Sequence, residues 1–240
     1  MIEDVKERKD PLFLLHLLHP FFPFSPTFSS SPSLPGRRME PMPFDDASDT
    51  VERLELAEQL KLDSKYADAL LILEQLLLED PENVAALEEI ADNELSLAHY
   101  QRAETAAKRA VSLSKESYTG VYILGFLRSR EHVWAEAVTH LKTANALRPN
   151  NAEILRCLGW ALFNAGEQAS GVVTLERALN LESESALTLC DLGVAYLQLR
   201  NISKAKILFE RALDVEPGNA RARECIEAAE KLLKLSAQGA

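Results

Sequence analysis

Cys157 to Phe163 reads CLGWALF, and Asp191 to Leu197 reads DLGVAYL. Laid one on the other they place Gly159 over Gly193, an offset of 34 residues. One period earlier the stretch ILGFLRS supplies Gly125, and Ala91 in EIADNEL and Ala57 in ELAEQLK extend the series backwards. A second set keeps the same beat: Ala69, Ala103, Ala137, Gly171 and Ala205. Four residues after each comes Leu73, Ala107, Leu141, Leu175 or Phe209, and three later Leu76, Ala110, Ala144, Ala178 or Ala212. Self-similarity at a fixed period of this length is the mark of stacked supersecondary units. Five units follow without insertion, over 50–83, 84–117, 118–151, 152–185 and 186–219.

Each unit reads as two helices. Leu155, Leu158 and Leu162 recur at helical spacing, the pattern of an amphipathic helix of roughly a dozen residues. A small residue in each helix lets two backbones approach to about 8 Å. Gly166 and its polar neighbours in NAGEQ make the turn inside a unit. Between units, EDPENVA, LRPNNAE and VEPGNAR place Pro81, Pro149 and Pro217 before an Asn. Proline cannot continue a helix and Asn caps the next. These prolines mark every second unit, and the turns near Lys115 and Ser183 are made without one. A helix pair leaves a face uncovered, so units must stack and the ends need caps. The stretch 220–236 reads as such a capping helix, with Ile226, Ala229, Leu232 and Leu233 on one side and charges on the other.

The register and its small residues resemble the tetratricopeptide repeat (TPR), over about 170 of the 240 residues. The resemblance implies an all-α, right-handed solenoid of antiparallel helix pairs whose first helices line a concave groove for protein segments. On that expectation the groove receives Glu55, Glu58, Glu88, Glu89 and Asp92 from the first two units. Tyr122, Phe126, Arg156, Trp160, Phe163 and Asn164 come from the next two, and Leu187, Cys190, Asp191, Val194, Leu197 and Gln198 from the fifth. The groove is then acidic at one end and aromatic and aliphatic at the other, and aromatic anchors dominate binding energy at interfaces. For Phe126 and Val194 the alternative is packing between neighbouring first helices, and for the acids it is a solvated face. One mode of the family, a clamp for the acidic tail of heat-shock chaperones, needs Lys, Arg and Asn where this chain has Leu54, Glu58, Glu89, Thr119 and Ile123. The acids would repel such a tail. The partner expected is a protein or peptide segment with an apolar face and basic residues.

Two departures from the family pattern stand out. Glu94 and Arg128 occupy places usual for an aromatic, one period apart, and are expected to pair. Gly171 replaces a helix-interior Ala at a cost of about 1 kcal/mol, which marks the fourth unit as a soft place.

Composition bounds the rest. Net charge is −11. No run of Lys or Arg offers phosphate neutralisation, which excludes a general nucleic-acid binder. Cys157, Cys190 and Cys225 lack CxxC spacing and read as reduced, buried thiols of a cytoplasmic protein. No nucleophile with its base, cluster of metal ligands or glycine-rich phosphate loop is present, so neither catalysis nor a cofactor is expected. His99, His132 and His140 read as surface residues, and Trp134 reads as core.

Residues 1–44 hold eight of the eleven prolines and six of the nine phenylalanines, and are expected to be disordered. PLFLLHLLHPFFPF is interrupted by His and Pro, and the preceding MIEDVKERKD carries four acids against three bases, unlike a secretory signal. The stretch is also shorter than the ~20 residues of a membrane span. His16 and His19 make a weak metal pair without a third ligand. Translation from Met39 or Met42, just after Arg37 and Arg38, is a further expectation, under which the tail is not made.

The reading is a non-catalytic interaction scaffold or adaptor. The alternatives are a chaperone for a secreted or membrane-assembly substrate, and an envelope-associated factor held at the membrane through residues 11–24.

Overall fold

The computed structural model of the protein describes residues 46–238. The expectations placed on residues 1–44 therefore lie outside the described residues. Among the described residues there are eleven α-helices and no strand. In chain order they are α1 Asp46–Leu62, α2 Tyr66–Glu79, α3 Val84–Ser96, α4 Tyr100–Leu113, α5 Tyr118–Arg130 and α6 Trp134–Leu147. There follow α7 Ala152–Asn164, α8 Gln168–Leu181, α9 Ala186–Gln198, α10 Ile202–Val215 and α11 Ala220–Gln238.

Both kinds of helix boundary repeat with the sequence period. Every odd helix from α3 to α11 is capped by Asn83, Ser117, Asn151, Ser185 or Asn219, whose side-chain oxygen accepts from the amide three residues on. These bonds span 2.9 to 3.3 Å. Each satisfies one of the donors that a helix start leaves without a partner. Asn and Ser alternate at the cap, so the units that lack a proline keep the cap.

Inside each unit the turn is made by one residue with positive φ: Ser64, Ala98, His132, Gly166 and Arg200. The amide after it reaches the carbonyl five residues back, as in Lys65 to Leu60 and Glu167 to Leu162. This is the Schellman closure, which favours glycine because a Cβ is crowded there. Only Gly166 meets that preference, at φ 96°, while the other four hold φ between 59° and 63°.

The described chain divides at Leu127 and Arg128 into two compact units. In the first, Leu73, Leu76, Leu87 and Leu95 are buried among Ala91, Ala103, Ala107 and Ala110. In the second, one cluster joins Phe163, Leu175, Leu189, Leu192, Phe209 and Cys225, with Trp134 packed partly buried against it.

Small residues set the closest approach. A Cβ on Gly171 would lie 2.6 Å from the Phe163 nitrogen and 2.7 Å from the Gly159 oxygen, and one on Gly159 would lie 2.8 Å from the Leu175 nitrogen. Gly171 is thus the glycine that lets α7 and α8 touch backbone to backbone, which the sequence reading of a soft place did not supply. In the next pair the space beside Gly193 is taken by the Phe209 ring.

No described helix is long and apolar enough to cross a membrane.

Candidate partner-binding face

In the first unit, Glu55 and Glu58 stand exposed on α1, while Glu88, Glu89 and Asp92 are half-buried on α3. Lys61 joins α1 to α3 by donating to Glu89 at 2.8 Å and Asp92 at 3.0 Å. Burial opposes the charge on Lys61, but Asp92 and Glu89 outweigh it and its pKa is raised. Glu88 accepts from the Ser117 hydroxyl at 2.6 Å, the same hydroxyl that caps α5. Three of the five acids are therefore engaged internally. Tyr122 is half-buried and Phe126 buried, their rings tilted at 6.4 Å between centroids.

Glu94 is 0% exposed. One carboxylate oxygen lies 2.8 Å from His99 Nδ1 and the other 2.8 Å from Arg102 Nη2. Arg128 pairs with Glu131. Glu94 thus meets one cation at the turn that follows α3 and one on the adjoining helix α4.

In the second unit the first-helix face holds a buried chain of charges. Arg156 on α7 donates to Asp191 on α9 at 2.7 Å and, through Nε and Nη2, to Glu153 at 2.9 and 2.5 Å. Arg221 at the start of α11 donates to the other oxygen of Asp191 at 2.9 Å. Arg156 is 3% exposed and Asp191 0%. Burial opposes both guanidinium charges, yet the pKa of each is raised. At Arg156 the neighbouring Cys157 sulfur and the carboxylates of Glu153 and Asp191 outweigh burial, and at Arg221 Asp191 leads.

Beside this chain of charges Trp160 and Phe163 stack, with centroids 6.4 Å apart and planes 15° apart. Both rings are buried, as are Val194 and Leu197. Asn164 is half-buried and donates to the Trp160 carbonyl, and Gln198 is exposed. Leu187 is exposed and Cys190 buried. Burial pushes the Cys190 thiol up to about 12 and the Cys225 thiol up to about 11. Cys157, Cys190 and Cys225 are free thiols. Among the described residues no group of three or more His, Cys, Asp or Glu is placed to hold a metal ion.

No protein-family profile matches the sequence. The fold is similar to that of TTC0263, a thermophilic TPR protein of Thermus thermophilus, at TM-score 0.59 and 25% identity, covering 76% of this chain and 98% of that one. It is also similar to YrrB, a TPR protein with an unusual peptide-binding site, at TM-score 0.55 and 20% identity, covering 76% and 94%. The chain has the tetratricopeptide-repeat fold. In sequence the repeats are similar to the BBSome complex member BBS4 homolog of Drosophila melanogaster, 26% identical over 167 residues. That match takes in 69% of this chain and 34% of the relative, so the chain spans about a third of that protein's length.

Sequence reasoning placed Arg221 only in a capping helix and left Asp191 as one groove residue among many. Their signal is faint in a tetratricopeptide register, because Arg156, Asp191 and Arg221 fall at three different places of the repeat. Opposite charges one helix apart on the same face were the available clue.

Proposed function

We propose that the protein is a non-catalytic adaptor whose first-helix faces bind a segment of a protein partner. The observation that carries this reading is the pair of exposed carboxylates, Glu55 and Glu58, on the first helix of a tetratricopeptide-repeat fold. Carboxylates at a rim steer and select a basic partner. The peptide-binding site of YrrB, a protein of like fold, supports a peptide as the kind of ligand. The proposed partner segment carries basic residues for Glu55 and Glu58. Buried free thiols favour a reducing compartment, and the cytoplasm is the proposed location.

The test is affinity capture with the full chain and with a Glu55→Lys, Glu58→Lys variant. Both residues are exposed, so the exchange leaves the core intact. Asp92 is a poorer choice because it holds Lys61. The variant is expected to lose the captured partner, and equal recovery from both proteins would refute a role for the acidic face.

A further inference from the structure

The two ends of the described repeat array are finished differently. At the downstream end α11 packs against α10 and adds Cys225, Ala229 and Leu232 to the buried cluster. At the upstream end, where α1 comes first, no described helix plays that part. Register makes the difference measurable. Ile90, Leu124, Leu158 and Leu192 hold one position of the repeat and are 8%, 7%, 5% and 2% exposed. Leu56 holds the same position in the first repeat and is 51% exposed.

The next repeat shows what such a face is built to meet. Where its helices adjoin α2, Glu74 and Leu77 line a cleft together with Ile90, Arg102, Thr105 and Ala106. One period earlier Ile90, Thr105 and Ala106 become Leu56, Leu71 and Ile72, on α1 and α2. Leu71 is 61% exposed and Ile72 half-buried, so with Leu56 they leave an apolar strip where an adjoining repeat would sit. A repeat array is left with such a face wherever a terminal unit lacks a polar cap.

Charge says which cover fits. Arg102 donates to Glu74 of the preceding repeat at 3.1 Å, and Lys204 donates to Glu176 at 3.2 Å, the same two positions three periods on. In the first repeat the place of the cation is taken by Asp68, which is exposed, as is Glu52 one turn before Leu56. Arg53 beside them is engaged by Asp49 and Glu79. The cover must therefore bring cations where the chain's own repeats bring Glu. A second copy of this chain does not meet that need, because stacking in the same register would set Glu210 against Asp68.

We infer that this upstream face, Leu56, Leu71 and Ile72 flanked by Glu52 and Asp68, docks an amphipathic helix of a protein partner whose apolar stripe is edged by Lys or Arg. It is a surface separate from Glu55 and Glu58, which fall outside the stripe of α1 that carries Glu52 and Leu56.

The experiment measures the affinity of the full chain for fluorescein-labelled helical peptides of about 18 residues, a length at which a helix is marginally stable alone. Both peptides carry Leu at positions a, d and e of each heptad, flanked by Lys in one and by Glu in the other. The Lys peptide is expected to bind about tenfold or more tighter than the Glu peptide. Asp68→Lys is expected to reverse that order. Leu71→Ser is expected to weaken the Lys peptide about tenfold, as for the loss of one buried leucine side chain. Both variants are expected to melt like the parent, since both side chains are exposed. Glu55→Lys with Glu58→Lys is expected to leave this binding in place. Loss of binding in that double variant but not in Asp68→Lys would move the peptide to the first-helix face, overturning this inference and supporting the adaptor reading. No binding of the Lys peptide up to its solubility limit, or equal binding of both peptides, would also overturn it. So would self-association of the parent that Leu71→Ser abolishes, which would give the face to a second copy.

Discussion

Gly171 lies against Gly159 so closely that a methyl group on the first would come within 2.7 Å of the carbonyl oxygen of the second. Helix propensity alone predicts that Gly171→Ala stabilises by about 1 kcal/mol. The contact predicts the reverse, since neither backbone has a flexible end that can move away. Overpacking of this kind costs about 1–3 kcal/mol, and the expected result is a loss of that size in urea denaturation. A gain in stability would mean that α7 and α8 do not meet backbone to backbone.

The positive-φ turns predict the opposite use of glycine. Ala98 at φ 59° and Arg200 at φ 63° are both exposed and hold a conformation that a Cβ disfavours. Ala98→Gly and Arg200→Gly are expected to stabilise by roughly 0.5–1 kcal/mol, less than the full ~1–2 kcal/mol cost of the conformation because glycine gains unfolded-state freedom. Gly166→Ala, at φ 96°, is expected to destabilise. The three midpoints measured in one denaturant series check the set, and the sign of the first two is decisive.

These turns also explain what the sequence disclosed and what it hid. The period was legible because Gly159, Gly193 and the small residues at Ala69, Ala103 and Ala137 sit where two helices must approach. Packing restricts them to few residue types. The turns were hidden because Ser64, Ala98, His132 and Arg200 carry no composition signal, and their conformation is imposed by the two helices that each turn joins. Ser117 and Ser185 hid for a related reason: they perform the capping of Asn83 and Asn151 with a different side chain. Register placed Glu55 and Glu58 on α1 and Trp160 and Phe163 on α7, but it did not disclose that the two rings are buried. The internal engagement of Glu88, Glu89 and Asp92 was not, because it depends on which long side chain of a neighbouring helix reaches back.

The buried thiols give the fold an alkaline limit. An ordinary thiol titrates near ~8.5. Cys190 is held up to about 12 and Cys225 up to about 11 because burial disfavours the thiolate. Below the ordinary value both states keep the proton and the contribution is constant. As pH rises from about 9 towards 11 and 12, the unfolded chain loses protons that the folded chain retains, and stability falls. The expected observation is a declining urea midpoint over that window, flattened in Cys190→Ala relative to the parent protein. Parallel slopes for the two proteins would remove Cys190 as a cause.

Asp191 offers the sharpest separation between a pairing role and a packing role. It is buried and answers both Arg156 and Arg221. Asp191→Asn keeps the shape of the side chain but removes the one buried negative charge between two guanidinium groups. Breaking a buried pair in this way typically costs about 3–5 kcal/mol, most of it the penalty of the charges left behind. If that is the origin of the loss here, removing one of those charges as well must recover part of it. Asp191→Asn combined with Arg221→Met is therefore expected to be more stable than Asp191→Asn alone. Chemical denaturation of the four proteins in the double-mutant cycle measures this coupling directly. Additive losses would show that Asp191 and Arg221 act through packing, with no energetic communication between their charges.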